Sequence, residues 1–225
     1  MIDKLKGKII VSVQAMPDEP LYREECMIAM MASVINGGAS GLRVAGARDV
    51  RNAKQFNVPV IGLTKPNKLP ENWKEVVYIT PTLKEVNELI EADADIIAFD
   101  GTSRPRQGGC TLIEIINKIH KAGKYAMADI STFDEGINCA SLGADIISTT
   151  LSGYTTESGE PSEKPDFELL KKLVLNTNIP VILEGRIWEP NDVQEAFNLG
   201  AHSVVIGSAI TRPQLITKRF INYKG

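Results

Sequence analysis

Eight short apolar runs, rich in β-branched residues, recur along the chain. They are KIIVSVQ (8–14), GLRVA (41–45), VPVIGLT (58–64), ADIIAFD (94–100), YAMADIS (125–131), ADIISTT (144–150), IPVILEG (179–185) and HSVVIGS (202–208). These are continuous apolar blocks rather than alternating ones, the pattern of parallel strands covered on both faces. Helical stretches lie between them: REECMIAMMASVING, TLKEVNELIEA, TLIEIINKIHKAG, TFDEGINCASLG, FELLKKLVLN and EPNDVQEAFNLG. Several end in Gly just before the next strand, as helix C-caps do. ITPT (79–82) reads as a loop that enters a helix at Thr82. The segments GGASGLRV, ADADIIAF, LGADIIST and LGAHSVVIG each pass from a helix end through Ala into a strand, a weak internal repeat. Eight strand–helix units of this length predict an α/β fold, a single (β/α)8 barrel over residues 1–225. A doubly wound open sheet is the alternative topology. No Pro/Ser-rich linker, low-complexity tract or charge block argues for a second domain.

Composition narrows the partners. The 225 residues are 43% hydrophobic and 24% charged, with a net charge of -3. That mild acidity offers no electrostatic reason to expect nucleic acid or a membrane surface. Cys26, Cys110 and Cys139 are odd in number and far apart, which reads as reduced thiols rather than disulfides or a metal site. The start, MIDKLKGKIIVSVQ, has too short an apolar stretch for a signal peptide core. No run approaches the ~20 apolar residues that span a bilayer. The expected location is the cytoplasm.

Polar residues gather at the strand ends. Gln14 follows the first strand, Arg43 sits in the second and Lys65 closes the third. Asp100 ends the fourth, Asp129 lies late in the fifth, and Thr149 and Thr150 end the sixth. Glu184, Gly185 and Arg186 end the seventh, and Gly207 and Ser208 the eighth. In a barrel these ends converge on one mouth, where the reacting groups of such enzymes are found. EGR after strand seven, with IGSAITRP after strand eight and a helix starting near Thr211, suits a phosphate held by backbone N–H groups. The plainer reading is that the glycines only make tight turns. Lys65 and Glu184 come from opposite strands of an eight-membered ring, so they could approach a bound sugar from two sides. A lysine desolvated there becomes a usable base near neutral pH, and a carboxylate could relay a proton. The plainer reading is a solvated lysine, or a structural ion pair. His120 in NKIHKAG reads as a surface residue and His202 as structural, and two isolated histidines make no metal site. Met27, Met30 and Met31 read as helix packing. DGTSRPRQGG (100–109) is a polar loop at the mouth, and Trp73 and Trp188 are placed in loops near it.

Several motifs together resemble one family. VSVQAMPDEPL (11–21), ITPT, MADIST, TTLSGYT, EGRI and GSAITRP followed by ITKRF are similar, in this order, to the N-acetylmannosamine-6-phosphate 2-epimerases. The resemblance runs from residue 9 to about 220. It implies a phosphate-binding TIM barrel of the ribulose-phosphate-binding type that interconverts N-acetylmannosamine 6-phosphate and N-acetylglucosamine 6-phosphate during sialic acid and amino-sugar breakdown. It further implies Lys65 and Glu184 as catalytic residues. Gln14, Arg43, Asp129, Arg186, Gly207, Ser208 and Arg212 are implied as substrate-binding, the last four at or beside the phosphate end, and the strand-end residues Thr150 and Gly185 are read as substrate-binding with them. The chemistry would be proton removal from carbon 2 of the ring-opened sugar, which requires neither metal nor nicotinamide cofactor. Reprotonation by Glu184 or by Lys65 itself is left open. The resemblance implies a tendency toward homodimers, though no stripe in the sequence identifies an interface. Two segments depart from the family pattern: KPNKLPENW stands where Arg-Asp-Tyr usually follows the lysine, and Ala45 replaces an expected Asn. The rival readings are a thiamine-phosphate-synthase-like transferase, a catalytically silent phosphosugar-binding protein and an epimerase for a different amino-sugar phosphate.

Overall fold

The computed structural model describes residues 1–160 and 162–223. Eight parallel strands close into a barrel in sequence order, which sets the open-sheet alternative aside. They are β1 (Lys8–Val13), β2 (Gly41–Ala45), β3 (Val60–Leu63), β4 (Ile96–Asp100), β5 (Tyr125–Asp129), β6 (Ile146–Ser148), β7 (Val181–Glu184) and β8 (Ser203–Ile206). Helices α1 (Glu24–Asn36), α2 (Ala47–Ala53), α3 (Leu83–Glu91), α4 (Leu112–Lys121), α5 (Phe133–Ser141), α6 (Phe167–Asn176) and α7 (Pro190–Asn198) cover the outside. Each strand is an apolar run trimmed at its ends, and Gly41–Ala45 matches its run completely.

Period-two alternation divides the core into two layers. Ile10, Ile61, Leu63, Ile96, Ala98, Met127, Ile146, Ile182 and Val205 form one buried cluster that fills the barrel. Their neighbours in sequence face the helices in a second, larger cluster. Leu5, from the turn Ile2–Leu5, joins the inner cluster and plugs the end where the strands begin. At the other end the same inward face continues two residues on from Leu63 to Lys65, from Met127 to Asp129 and from Ile182 to Glu184. The polar layer is therefore the top course of an otherwise apolar interior.

Helix starts follow local chemistry. Thr82, Thr111 and Thr132 each close a capping box with a glutamate three residues on, at the heads of α3, α4 and α5. Thr82 is thus the helix entry that ITPT implies. The short helix α2 has no counterpart in the sequence pattern, because ARDVRNA offers only the buried Val50 and Ala53 and the half-buried Ala47 to the apolar layer. The helix expected near Thr211 is corrected: α8 runs Ser208–Thr211, and α9 begins at Pro213 and ends at Asn222. Proline fits a first helical position, where its missing N–H has no partner to lose. Helix α9 buries none of its residues; Phe220 and Ile221, with Tyr223 just beyond, stand exposed. No described helix is long and apolar enough to cross a membrane.

Candidate active site

A cavity of about 380 Å³ opens at the C-terminal ends of the strands. Lys65 after β3 and Glu184 at the end of β7 both line it, with Gln14, Thr150, Gly185, Arg186, Gly207, Ser208 and Arg212. Beneath Glu184 lies a buried charge cluster. Arg43, 1% exposed, donates from Nη2 to Asp129 Oδ2 at 2.6 Å, and Asp129 is fully buried. Arg43 Nε stands 3.2 Å from Glu184 Oε1, an ion-pair distance without the alignment of a hydrogen bond. The Thr150 hydroxyl lies between the two carboxylates, 2.8 Å from Asp129 Oδ1 and 3.1 Å from Glu184 Oε2. One guanidinium and one hydroxyl thus fix two acids, one from β5 and one from β7. Thr149 holds the β7 backbone at Glu184 from the other side: its hydroxyl accepts from the Glu184 N–H and donates to the Glu184 carbonyl, both at 3.1 Å.

The electrostatics oppose one another across the cavity. Burial pushes the Glu184 carboxyl above the usual range, helped by Asp129 and resisted by Arg43, Lys65 and the Thr150 hydroxyl. Desolvation lowers the Lys65 ammonium below its ordinary value, and the positive Arg43 lowers it further against the pull of Glu184 and Asp129. Lys65 is nevertheless exposed, because its surface faces this cavity and two further spaces beside it. That exposure opposes the lowering in the open site, and a ligand filling the cavity would strengthen it.

Part of the wall is built from turns. Gly185 has φ 110° and no atom within 4 Å of where a side chain would begin, so the conformation, not the space, requires glycine. Gly207 packs against Ser12, whose Cβ would lie 3.3 Å from an added one. Thr211 ties this loop down by donating to the carbonyls of Ser12 at 2.8 Å and Gly207 at 3.1 Å. Arg212 faces the cavity, ion-paired to Glu19, with its Nε unpartnered.

The same architecture is found in known proteins. A family model described as "Putative N-acetylmannosamine-6-phosphate epimerase" (NanE) matches residues 27–224. The chain belongs to the NanE family. A relative named "Putative N-acetylmannosamine-6-phosphate 2-epimerase" in Clostridium perfringens is 48% identical over 221 residues, 98% of either chain. One of the same name in Clostridioides difficile is 46% identical, covering 98% of this chain and 97% of the other. A solved N-acetylmannosamine-6-phosphate 2-epimerase from Clostridium perfringens superposes with a TM-score of 0.93 at 47% identity, covering 99% and 95% of the two chains. A thiamine phosphate pyrophosphorylase from Pyrococcus furiosus, at 16% identity and a TM-score of 0.63, shares the barrel alone.

For this NanE member the structure sorts the residues that its sequence singles out. Lys65, Glu184, Gln14, Thr150, Gly185, Arg186, Gly207, Ser208 and Arg212 meet at one cavity. Arg43 and Asp129 lie below its floor and have almost no exposed surface. The Arg186 guanidinium is turned away to the carbonyls of Ser152 at 2.5 Å and Lys164 at 2.9 Å, so Arg186 meets the cavity from a backbone held at φ 59°. Asp100 is not part of the cavity lining: Arg104 at 2.5 Å and the Thr102 hydroxyl at 2.6 Å take its carboxylate. That latch also binds the β3–α3 loop, because Arg104 Nη1 donates to the carbonyls of Trp73 and Lys74. Trp188 lines the cavity, whereas Trp73 stays in that outer loop. His120 is exposed beside Asp145, and His202 bonds the Ile2 carbonyl. Sequence reasoning missed Ser12, which lines the cavity and accepts from Gln14 Nε2 at 2.8 Å. Its place two residues before Gln14 on the inward face of β1 was the available signal. Tyr154 and Leu215 also line the cavity and carry no such signal.

Proposed function

We propose that this protein interconverts N-acetylmannosamine 6-phosphate and N-acetylglucosamine 6-phosphate by inverting carbon 2, in the breakdown of amino sugars and sialic acid. The observation that carries the reading is that Lys65 and Glu184, from opposite strands of the ring, line one cavity together with the Gly185 and Gly207 turns. Relatives that this chain matches over 98% of its length bear the name of that epimerase.

The sugar ring opens first, and the aldehyde at carbon 1 acidifies the proton on carbon 2. Lys65, neutral once the substrate has displaced water, takes that proton, and the electron pair moves into a carbon 1–carbon 2 enolate that keeps the acetamido group on carbon 2. Glu184, whose burial favours its protonated form, returns a proton to the opposite face of carbon 2, and the double bond reverts to the aldehyde. In the reverse direction the two exchange roles. Gln14 lines the cavity with its amide oxygen buried and unpartnered; turned outward, that oxygen would accept from a substrate hydroxyl or amide N–H. Arg43 and Asp129 act from below as positioning residues that hold the Glu184 carboxylate. The phosphate rests on the backbone of Gly185, Arg186, Gly207 and Ser208, with Arg212 beside it, and this anchor holds carbon 2 at the lysine.

The test is incubation with N-acetylmannosamine 6-phosphate in deuterated water, followed at carbon 2 by NMR. The reading predicts N-acetylglucosamine 6-phosphate carrying solvent deuterium, and slow turnover of the unphosphorylated sugar. Tight binding without product would assign the chain to a silent phosphosugar-binding role, and equal use of both sugars would remove the anchor. We place the enzyme in the cytoplasm, where its three unpaired cysteines stay reduced. We further propose a homodimer through α9, since a ten-residue helix with no buried residue needs a partner for Phe220 and Ile221.

A further inference from the structure

We infer that Thr80 is a positioning residue for Lys65: its hydroxyl and N–H stand in the β3–β4 ladder where it meets the lysine, and so set the direction in which that lysine leaves the barrel. The inference rests on Lys65 acting as the base.

Strands β3 and β4 pair only at Ile61 with Ile96 and Gly62 with Ile97. Where an N–H of one strand donates to the strand that follows it, it reaches the carbonyl one residue before its partner, as Leu42 does to Pro59 across β2 and β3 and Thr149 to Ile182 across β6 and β7. Continued in that register, the Thr64 N–H would reach the Ala98 carbonyl directly. It does not. The Thr64 N–H donates to Thr80 Oγ1 at 3.1 Å, and Thr80 Oγ1 donates to the Ala98 carbonyl at 2.7 Å. The Thr80 N–H in turn donates to the Thr64 carbonyl at 3.1 Å. The carbonyl of Ile79 accepts from the Asp100 N–H at 3.1 Å, so the segment wedges between the two strand ends. Lys65 is the next residue.

The backbone supports the same reading. Thr80 has φ 43°, a conformation that a β-branched residue adopts only when its surroundings impose it. Among the described residues, four other than glycine have positive φ; Asn57 and Asp93 are of the types that tolerate it, and the other two are Thr80, hydrogen-bonded to Thr64 next to Lys65, and Arg186, close in the chain to Glu184. Thr80 is fully buried and lines no described cavity, so it does not touch the substrate. Its effect must pass through Thr64. Serine can bridge the same two groups, whereas valine fills the same volume and leaves the Thr64 N–H and the Ala98 carbonyl without their partner.

The experiment compares Thr80→Val, Thr80→Ser and wild-type protein for kcat, KM and solvent deuterium uptake at carbon 2 of N-acetylmannosamine 6-phosphate, with thermal unfolding of each. Thr80→Val should lose about 10- to 100-fold in kcat, as expected when a reacting group moves by about 1 Å, with KM within about twofold. Thr80→Ser should stay within about threefold of wild type. Equal kcat in Thr80→Val and wild type, equal losses in both variants, or a loss confined to KM would overturn the inference. If Thr80→Val does not fold, Thr80→Gly is read in its place, because glycine accepts φ 43° freely. Failure of the glycine variant to fold would assign Thr80 to the fold rather than to the lysine, and would also overturn it. Lys65→Ala run alongside separates the two readings. If it keeps deuterium uptake, the base assignment fails; if it loses uptake while Thr80→Val keeps kcat, only the role of Thr80 fails.

Discussion

Replacing Arg43 with methionine removes the cation from the buried cluster while nearly keeping its volume. The side chain of Arg43 is 1% exposed and that of Asp129 0%, so water does not screen the pair. Glu184 at 13% is almost as enclosed. Two carboxylates would then share the Thr150 hydroxyl with no guanidinium between them. Removing one partner from a buried charge group costs about 3–5 kcal/mol. For a chain of this size each kcal/mol lowers Tm by about 2–4 °C, so the expected fall is about 6–20 °C. The pH dependence has a definite sign. Glu184 holds its proton more firmly folded than unfolded, because burial raises its pKa, and Arg43 resists that rise. Such a group weakens the fold above its raised pKa, and the penalty fades as pH falls through it. Without Arg43 the pKa rises further, so the Tm gap between Arg43→Met and wild type should be widest at neutral pH and shrink on acidification. Thermal unfolding by circular dichroism at pH 7 and pH 5 measures both. A fall of less than about 3 °C, or a gap that widens toward pH 5, would refute the reasoning.

Three further outcomes follow from the same geometry. The rise of kcat/KM with pH should lie below the ordinary range of lysine, and Arg43→Met should move it toward higher pH while Arg43→Lys leaves it nearly in place, since the positive charge of Arg43 helps lower Lys65; a pH–rate profile of each variant checks this. Gly185→Ala meets open space but a backbone at φ 110°, so it should destabilise by about 1–3 kcal/mol and weaken phosphosugar binding, measured by denaturant unfolding and titration. Phe220→Asp should convert a homodimer to monomers in analytical ultracentrifugation, and a wild-type monomer would contradict the role given to α9.

Much of this was legible before any coordinates. Eight apolar runs and their Gly-ended helices specify the barrel, because strands covered on both faces leave little else for such runs to do. The period of two then places Gln14, Lys65, Thr150 and Glu184 on the inward face at the mouth. Three features were not legible, and each is set by partners distant in sequence. Arg43 reads as a rim residue, yet Asp129, 86 positions away, draws it under the floor. Arg186 reads as a phosphate clamp, yet the carbonyls of Ser152 and Lys164 turn its guanidinium aside. Thr80 lies in a short apolar stretch whose bridging role exists only once β3 and β4 are side by side. Asp100 shows the converse: a strand-end acid at the right position, claimed by an arginine four residues on.

The central claim is that Lys65 removes the carbon 2 proton. Its most direct test is Lys65→Ala, folded as judged by its unfolding transition, incubated with N-acetylmannosamine 6-phosphate in deuterated water. The account predicts binding of the sugar phosphate with no deuterium at carbon 2 and no epimer formed. Deuterium uptake at a rate near that of the wild-type protein would contradict it.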